Sequence, residues 1–264
     1  MGVDPSRIWA VVPCMGRLAF LRRTLPVFLQ QPAMRYCLVD YACPEACGTW
    51  IERTFPAEIA AGRVAIERVT GEVHFHKTRA HNLGARRAIA AGAEILCFLD
   101  ADMLLHAGLG SWLAAQAGPG RFLIAARTAA GHHVRSTGGL LVVAASDFLA
   151  AGMFDEAFRG WGGEDVEMRL RLHLGRGLGY GDVPLALIEP IPQSDAARGR
   201  FSATKDIRAS ERRNRLIVER KVRAWTGAGT NAVGASARRL LMGRIWSSPP
   251  PRLGPARLVR RSWR

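Results

Sequence analysis

Short apolar runs recur along the first half of the chain, separated by stretches whose apolar residues fall at helical spacing. Ile8–Pro13 (IWAVVP), Tyr36–Tyr41 (YCLVDY), Val64–Val69 (VAIERV) and Ile95–Leu99 (ILCFL) have the length and composition of buried strands. Between them, Arg17–Gln31, Glu45–Phe55 and Lys77–Ala91 predict helices. Strands alternating with helices in this way predict an α/β fold with parallel strands and right-handed crossovers. Runs at Phe122–Ala126, Leu140–Ala144 and Leu185–Ile191 continue the series. A charged amphipathic helix is expected over Thr204–Trp225. The expected organisation is one domain over residues 1–203, whose first half (1–102) looks like a doubly wound nucleotide-binding unit and whose second half is 103–203. A basic helical extension of poor packing follows over 204–264. There is no internal repeat.

Charge changes this picture more than composition does. Residues 1–197 hold 19 Lys+Arg against 19 Asp+Glu, whereas 198–264 hold 18 against 3, so residues 198–264 account for the whole net charge of +15. A neutral body with a basic tail points to surface attachment, to anionic lipid headgroups, an anionic lipid-linked acceptor or RNA. No RNA-recognition motif accompanies it, so no specific nucleic acid is expected. Leu240, Leu241, Ile245, Trp246, Leu253, Leu258, Val259 and Trp263 sit among the tail arginines, a mixture that suits an interfacial membrane segment or a solvated tail. Removing residues 227–264 is therefore expected to leave the fold intact and to weaken binding to anionic vesicles.

No apolar run approaches the ~20 residues of a membrane span, and residues 1–16 lack a signal-peptide layout. The expected location is cytoplasmic, peripheral on the inner face of the membrane. Five cysteines (Cys14, Cys37, Cys43, Cys47, Cys97) are an odd count, and the Cys43/Cys47 pair has no second Cys or His pair near it in sequence to complete a zinc site. Reduced, structural thiols are expected.

In open α/β sheets ligands bind beyond the carboxyl ends of the strands, and three polar signals fall there. They are Pro13-Cys14-Met15-Gly16-Arg17, Asp40, and Asp100-Ala101-Asp102. A strand running into Asp-x-Asp is a workable site for a hard divalent cation, which neutralises a diphosphate; the outer acid takes the ion and the inner one orients ribose or water. Lys77–Gly84 (KTRAHNLG) reads as a helix start where Arg79 could meet a phosphate and where Asn82 and Gly84 permit close packing. In FRGWGGEDVEMRLRLH, residues 158–173, Gly162 and Gly163 permit positive φ, and Glu164 and Asp165 fall at a helix N-terminus. Acids there, with Asp165–Arg169 and Glu167–Arg171 at i,i+4, are also ordinary stabilising devices. They leave Trp161 and the double glycine unexplained. An exposed indole beside an acid suits the apolar face of a sugar, with the carboxylate taking a hydroxyl proton.

FLDADM at 98–103, GGLLVVAASDFLAAGMFDEAF at 138–158 and GWGGEDVEMRLRL at 160–172 together resemble GT-A-fold glycosyltransferases. The likeness is to family-2-like bacterial enzymes and, through GWGGED, to β-1,4-galactosyltransferases, chondroitin-type polymerases and polypeptide GalNAc-transferases, over about Ile8 to Phe201. The resemblance implies a single Rossmann-like mixed sheet flanked by helices, with acceptor and catalytic residues in 103–203. It implies a UDP-sugar donor, a saccharide or lipid-linked acceptor, Mn²⁺ or Mg²⁺, and a role in cell-surface polysaccharide or lipopolysaccharide synthesis. Residue by residue, it implies that Pro13 and Arg17 line the nucleotide pocket and that Asp40 contacts uracil. Arg79 would lie near the ribose or diphosphate, Asp102 would bind the metal, and Asp100 would support ribose or metal. Gly138 and Gly139 would shape the sugar site, and Trp161, Gly162 and Gly163 would meet donor and acceptor sugars. Glu164 would hold a sugar hydroxyl and Asp165 would be the general base of an inverting transfer.

Such enzymes usually add a metal ligand, commonly histidine, after the WGGED helix. Here residues 186–201 read ALIEPIPQSDAARGRF, with Gln193 near the expected place and Glu189 and Asp195 as further oxygen donors. His173 is expected on a surface. Two other readings stand beside this one: a nucleotidyltransferase, whose glycine-rich triphosphate loop is not apparent in PCMGRLAF, and a non-catalytic glycan- or membrane-binding protein on a degenerate transferase fold.

Overall fold

The computed structural model describes residues 2–31, 34–132, 134, 136–193, 199–204, 206–228, 233–234, 237 and 240. Its centre is a seven-stranded sheet of β1 (Ile8–Cys14), β2 (Arg35–Tyr41), β3 (Val64–Val69), β4 (Ile95–Phe98), β6 (Arg121–Ala125), β7 (Leu141–Ala144) and β8 (Gly179–Val183), in the spatial order β3-β2-β1-β4-β7-β6-β8. β7 alone runs against its neighbours β4 and β6; the other pairings are parallel. β5 (Met103–Leu105) and β9 (Ile188–Pro190) form a separate antiparallel ribbon. The helices are α1 (Leu18–Phe28), α2 (Cys47–Thr54), α3 (Pro56–Ala60), α4 (Lys77–Ala90), α5 (Leu109–Gln116), α6 (Ala145–Ala150), α7 (Glu164–Leu170, prolonged by a π turn over Arg171–Gly175) and α8 (Ile207–Thr226).

The continuous apolar runs are strands because both faces of the sheet are covered. β1 is buried along its whole length, with Trp9 and Val11 in one core and Ile8, Ala10, Val12 and Cys14 in the other. On the first face α4 lies across β1 and β2 at Gly84, where a Cβ would come within 2.6 Å of both Val11 and Val39. Asn82, buried on the same helix, ties it to the 154–156 turn by accepting from the Phe154 amide at 3.0 Å and donating to the Phe154 carbonyl at 2.9 Å. These two residues allow close packing as expected from KTRAHNLG.

The second half departs from the sequence reading in its details. Leu185–Ile191 is not one strand: a 3₁₀ turn over Leu185–Leu187 precedes the short β9. Strand β8, GYGDV, carries two glycines and little apolar residue, and only its parallel pairing with β6 makes it a strand.

The larger departure is α8, which belongs to the body. Val218 and Val222 are fully buried in the first core, and Val233, Ala237 and Leu240 beyond the helix join them there. Lys221 reaches from α8 to Glu167 (2.8 Å) and Asp155 (2.5 Å), and Glu167, wholly buried, also pairs with Arg171 at 3.0 Å. The basic segment therefore supplies core and counter-charge up to Leu240, and the expected boundary at 203/204 falls just before a helix that the core includes. The other tail apolar residues, Leu241 to Trp263, lie outside the described residues. Leu240→Ala should lower the free energy of urea unfolding by about 2–5 kcal/mol. Truncation after Gly227 should cost more, in place of the neutral effect expected from the sequence; an unchanged midpoint for either would remove the tail from the core.

Candidate functional site

The acids of the sequence reading converge at the carboxyl ends of β1 and β4. Asp100 and Asp102 follow β4, whose strand ends at Phe98, and Glu164 and Asp165 open α7 after the GWGG turn. A residue the sequence reading passed over joins them. Lys77, the first residue of α4, sets its Nζ 3.0 Å from Asp100 Oδ1 and 3.4 Å from Glu164 Oε1. A signal for it existed: Lys77, His81, Gly84 and Ala88 share one helical face, and the other three are buried, so the lysine heads a buried stripe and points into the fold.

The cation explains how the carboxylates coexist. Burial alone would lower the Lys77 ammonium, but Asp100 and Glu164 hold its pKa above the usual lysine range. Burial alone would raise Asp100, yet Lys77 brings it below the ordinary carboxylate value. Glu164 goes the other way: burial raises it, Lys77 opposes, and the neighbouring Asp165 adds to the rise. Asp165 is half-buried and accepts the amide of Val166 at 2.8 Å.

Asp102 is 3% exposed, and burial followed by Asp100 raises its carboxyl. Arg17, at the start of α1, stands 3.8 Å from Asp102 Oδ1, and the side-chain amide of Gln193 donates to Oδ2. The other amide atom, Gln193 Oε1, is buried with no hydrogen-bond partner among the described residues. An orphaned oxygen beside a buried carboxylate fits a hard divalent cation, and the amide can turn that oxygen toward the ion. Glu189 does not share in this. Its carboxylate, 62% exposed on the β5–β9 ribbon, faces His106 at 3.3 Å, because its register opposite Leu104 turns it away from the aspartates. Asp195 lies outside the described residues.

Other expected residues take more structural positions. Pro13 is buried in β1 opposite Val39. Asp40, 6% exposed, accepts from the amides of Cys43 and Gly48 and from Arg68, each at 3.1 Å, so it orders the turn after β2. Arg79 is partly exposed and pairs with Glu72; the cation that α4 delivers to the acids is Lys77. Gly139 lies against Asp100, where a Cβ would overlap the carboxylate. The Gly138 carbonyl accepts from the fully buried Arg169, which also donates to the Leu140 carbonyl at 3.0 Å. His173 bonds the Leu178 carbonyl through Nδ1 at 2.9 Å and packs on Tyr180.

The GWGG turn is the main revision. Its Trp161 is half-buried, not an exposed platform. Gly162 and Gly163 have φ of 84° and 94°, but the space they leave is taken by α8: Cβ atoms there would meet Glu211 Cγ and Asn214 Cβ, each at 3.2 Å. Asn214 donates to the carbonyls of Arg159, Trp161 and Gly162 at 3.1, 3.3 and 2.7 Å, and the Ser210 hydroxyl accepts the Trp161 amide at 2.7 Å. The glycines serve close backbone approach, to a helix and not to a ligand alone. A hollow of about 350 Å³ lined by Trp9, Arg35 and Val64 opens at the opposite, amino-terminal ends of the strands and contains none of these acids.

Comparison with known proteins bears on this arrangement. Residues 126–180, 55 of the 264, match the model of one family, the N-terminal domain of galactosyltransferase; that span holds Gly138, Gly139 and the GWGGED turn. Among solved structures, GalNAc-T7 with UDP, GalNAc and Mn²⁺ superposes with a TM-score of 0.60 at 14% identity, over 81% of this chain and 47% of that one. TarS of S. aureus gives 0.55 at 11% identity over 88% and 46%, and its 1–349 fragment with UDP-GlcNAc gives 0.54 at 11% over 79% and 65%. The chain has the GT-A fold. It spans about half the length of GalNAc-T7 and of full TarS. No curated protein matches it.

Lys77→Met tests the electrostatics. Asp100 is held low in the folded state, so its contribution to stability is present above the unfolded carboxylate pKa and is lost as pH falls through the lowered one. Removing Lys77 should cost about 3 kcal/mol at pH 7, where the lowered Asp100 is left without its cation. The gap to wild type should close as the pH drops below 4, the usual range of carboxylates. A gap independent of pH in urea titrations would show that Lys77 acts by packing.

Proposed function

We propose that the chain transfers a hexose or N-acetylhexosamine from a UDP-sugar to a hydroxyl of a saccharide or glycolipid acceptor, with inversion and with the help of a divalent cation. The observation that carries the reading is the meeting of Asp100 and Glu164 on Lys77 at the carboxyl ends of the strands of a GT-A fold, with Asp102 and Asp165 next to them in the chain. The neighbouring structures support the donor class, since GalNAc-T7 was solved with UDP, GalNAc and Mn²⁺ and TarS with UDP-GlcNAc.

In this reading the diphosphate enters beside Arg17 and the first turn of α4, whose free amides favour anions. Pro13 and the turn ordered by Asp40 frame the nucleoside, which gives Asp40 a positioning role at the base end. Asp100, steadied by Lys77 and Gly139, faces the ribose. Asp102 and Gln193 hold the cation, an all-oxygen set that suits Mg²⁺ or Mn²⁺. Bound there, the ion offsets the charge gained by the leaving diphosphate.

Trp161 and the GWGG turn border the acceptor, and Glu164 holds one of its hydroxyls. Its carboxylate is already held by Lys77 at 3.4 Å, which suits it to orient a hydroxyl. Asp165 takes the acceptor O–H proton as that oxygen bonds to the anomeric carbon. The bond from that carbon to the diphosphate oxygen breaks and its electrons leave with UDP. An acceptor in cell-surface polysaccharide or lipopolysaccharide synthesis suits the basic segment.

UDP release should be measured over a panel of UDP-sugars with Mn²⁺, Mg²⁺ or chelator. Asp165→Asn should lower turnover at least ~100-fold while leaving UDP binding by calorimetry unchanged. Near-normal turnover by that variant would overturn the base assignment. Silence of the wild type with every donor, with saccharide binding intact, would favour a non-catalytic binding protein.

A further inference from the structure

The turn after β2 brings Cys43 and Cys47 to Cys14 at the end of β1, and the three sulfurs lie within 4.8 Å of one another. The sequence offered Cys43 and Cys47 as a pair with no partner near them; the parallel register of β1 and β2, which sets Cys14 beside Asp40, supplies the third. Cys14 and Cys47 are fully buried and Cys43 is half-buried, so the cluster is closed on the core side and reachable through Cys43.

The chain around it is held in place at some cost. Ala42 and Ala46, which precede the two turn cysteines, have φ of 45° and 50°. Left-handed backbone at a non-glycine residue costs about 1–2 kcal/mol each and persists only where the surroundings impose it. Here Asp40 imposes it by accepting from Cys43 and Gly48. The Gly16 amide donates to Cys43 Sγ at 3.2 Å, which aims the sulfur inward from the other turn.

We propose that Cys14, Cys43 and Cys47 form a site for a thiophilic d¹⁰ cation such as Zn²⁺, separate from the hard-oxygen acids. Zinc–sulfur bonds of about 2.3 Å at tetrahedral angles put sulfurs about 3.8 Å apart, so each pair needs to close by no more than about 1 Å. A disulfide would use two of the three thiols and demand a contact near 2 Å, a larger movement that leaves one sulfur out. Binding displaces up to three thiol protons to solvent and no electrons move. The bound ion would brace the β1–α1 turn, which carries Arg17, against the β2–α2 turn.

The test uses the reduced 264-residue chain, loaded with Zn²⁺ and dialysed against a weak chelator. One zinc per chain is expected, retained in Asp102→Asn and weakened at least tenfold in Cys43→Ser. Co²⁺ should give a thiolate charge-transfer absorption in wild type that is absent in that variant. Zinc should also protect wild-type thiols from alkylation, which keeps the test open if Cys43→Ser unfolds. Zinc lost in Asp102→Asn but kept in Cys43→Ser would overturn the site. So would the absence of cobalt–thiolate absorption, or a Cys43–Cys47 disulfide in metal-free protein prepared without reductant. None of these readouts depends on sugar transfer.

Discussion

The acids at the carboxyl edge of the sheet depend on one half-buried ammonium meeting two carboxylates. Asp100 and Glu164 lie 64 residues apart in the chain, and like charges brought together in a low-dielectric site repel unless a cation lies between them. Lys77 is that cation, at 3.0 and 3.4 Å. Lys77 brings Asp100 down against its burial, whereas burial keeps Glu164 and Asp102 raised, so the acids differ in proton affinity. An edge holding carboxylates of unlike proton affinity can position, accept and coordinate at once, which a row of equivalent acids cannot do.

The second constraint is mechanical. The GWGG turn that precedes Glu164 and Asp165 is held by α8 from outside, with Asn214 gathering the carbonyls of Arg159, Trp161 and Gly162 and the glycines leaving room for that approach. Lys221 then fastens the same helix to Glu167 and Asp155. The charge that marks the segment in the sequence is thus partly a core device, since buried carboxylates need basic partners as much as a membrane surface does.

Much of the architecture was legible because it rests on local pattern. The runs IWAVVP, YCLVDY, VAIERV and ILCFL are strands close to their expected limits, and Asp40, Asp100 and Asp102 end or follow such strands as expected. Strand β8 was missed because GYGDV has no strand pattern of its own and is set by β6. Lys77 was passed over for Arg79 because charge type alone does not say which of two neighbouring basic residues turns inward; the helical face decides it.

By itself, then, the sequence determined the alternation of elements, the acids at strand ends and the helix behind GWGGED, since hydrophobic period, glycine and chain order are short-range properties. Tertiary structure decided which charges meet and which spaces are filled. It placed Lys77 between acids, turned Glu189 to His106, filled the glycine clearance with α8, and added Cys14 to Cys43 and Cys47. Each of these joins residues distant in sequence, and their proximity comes from sheet register and helix packing, which no local pattern encodes.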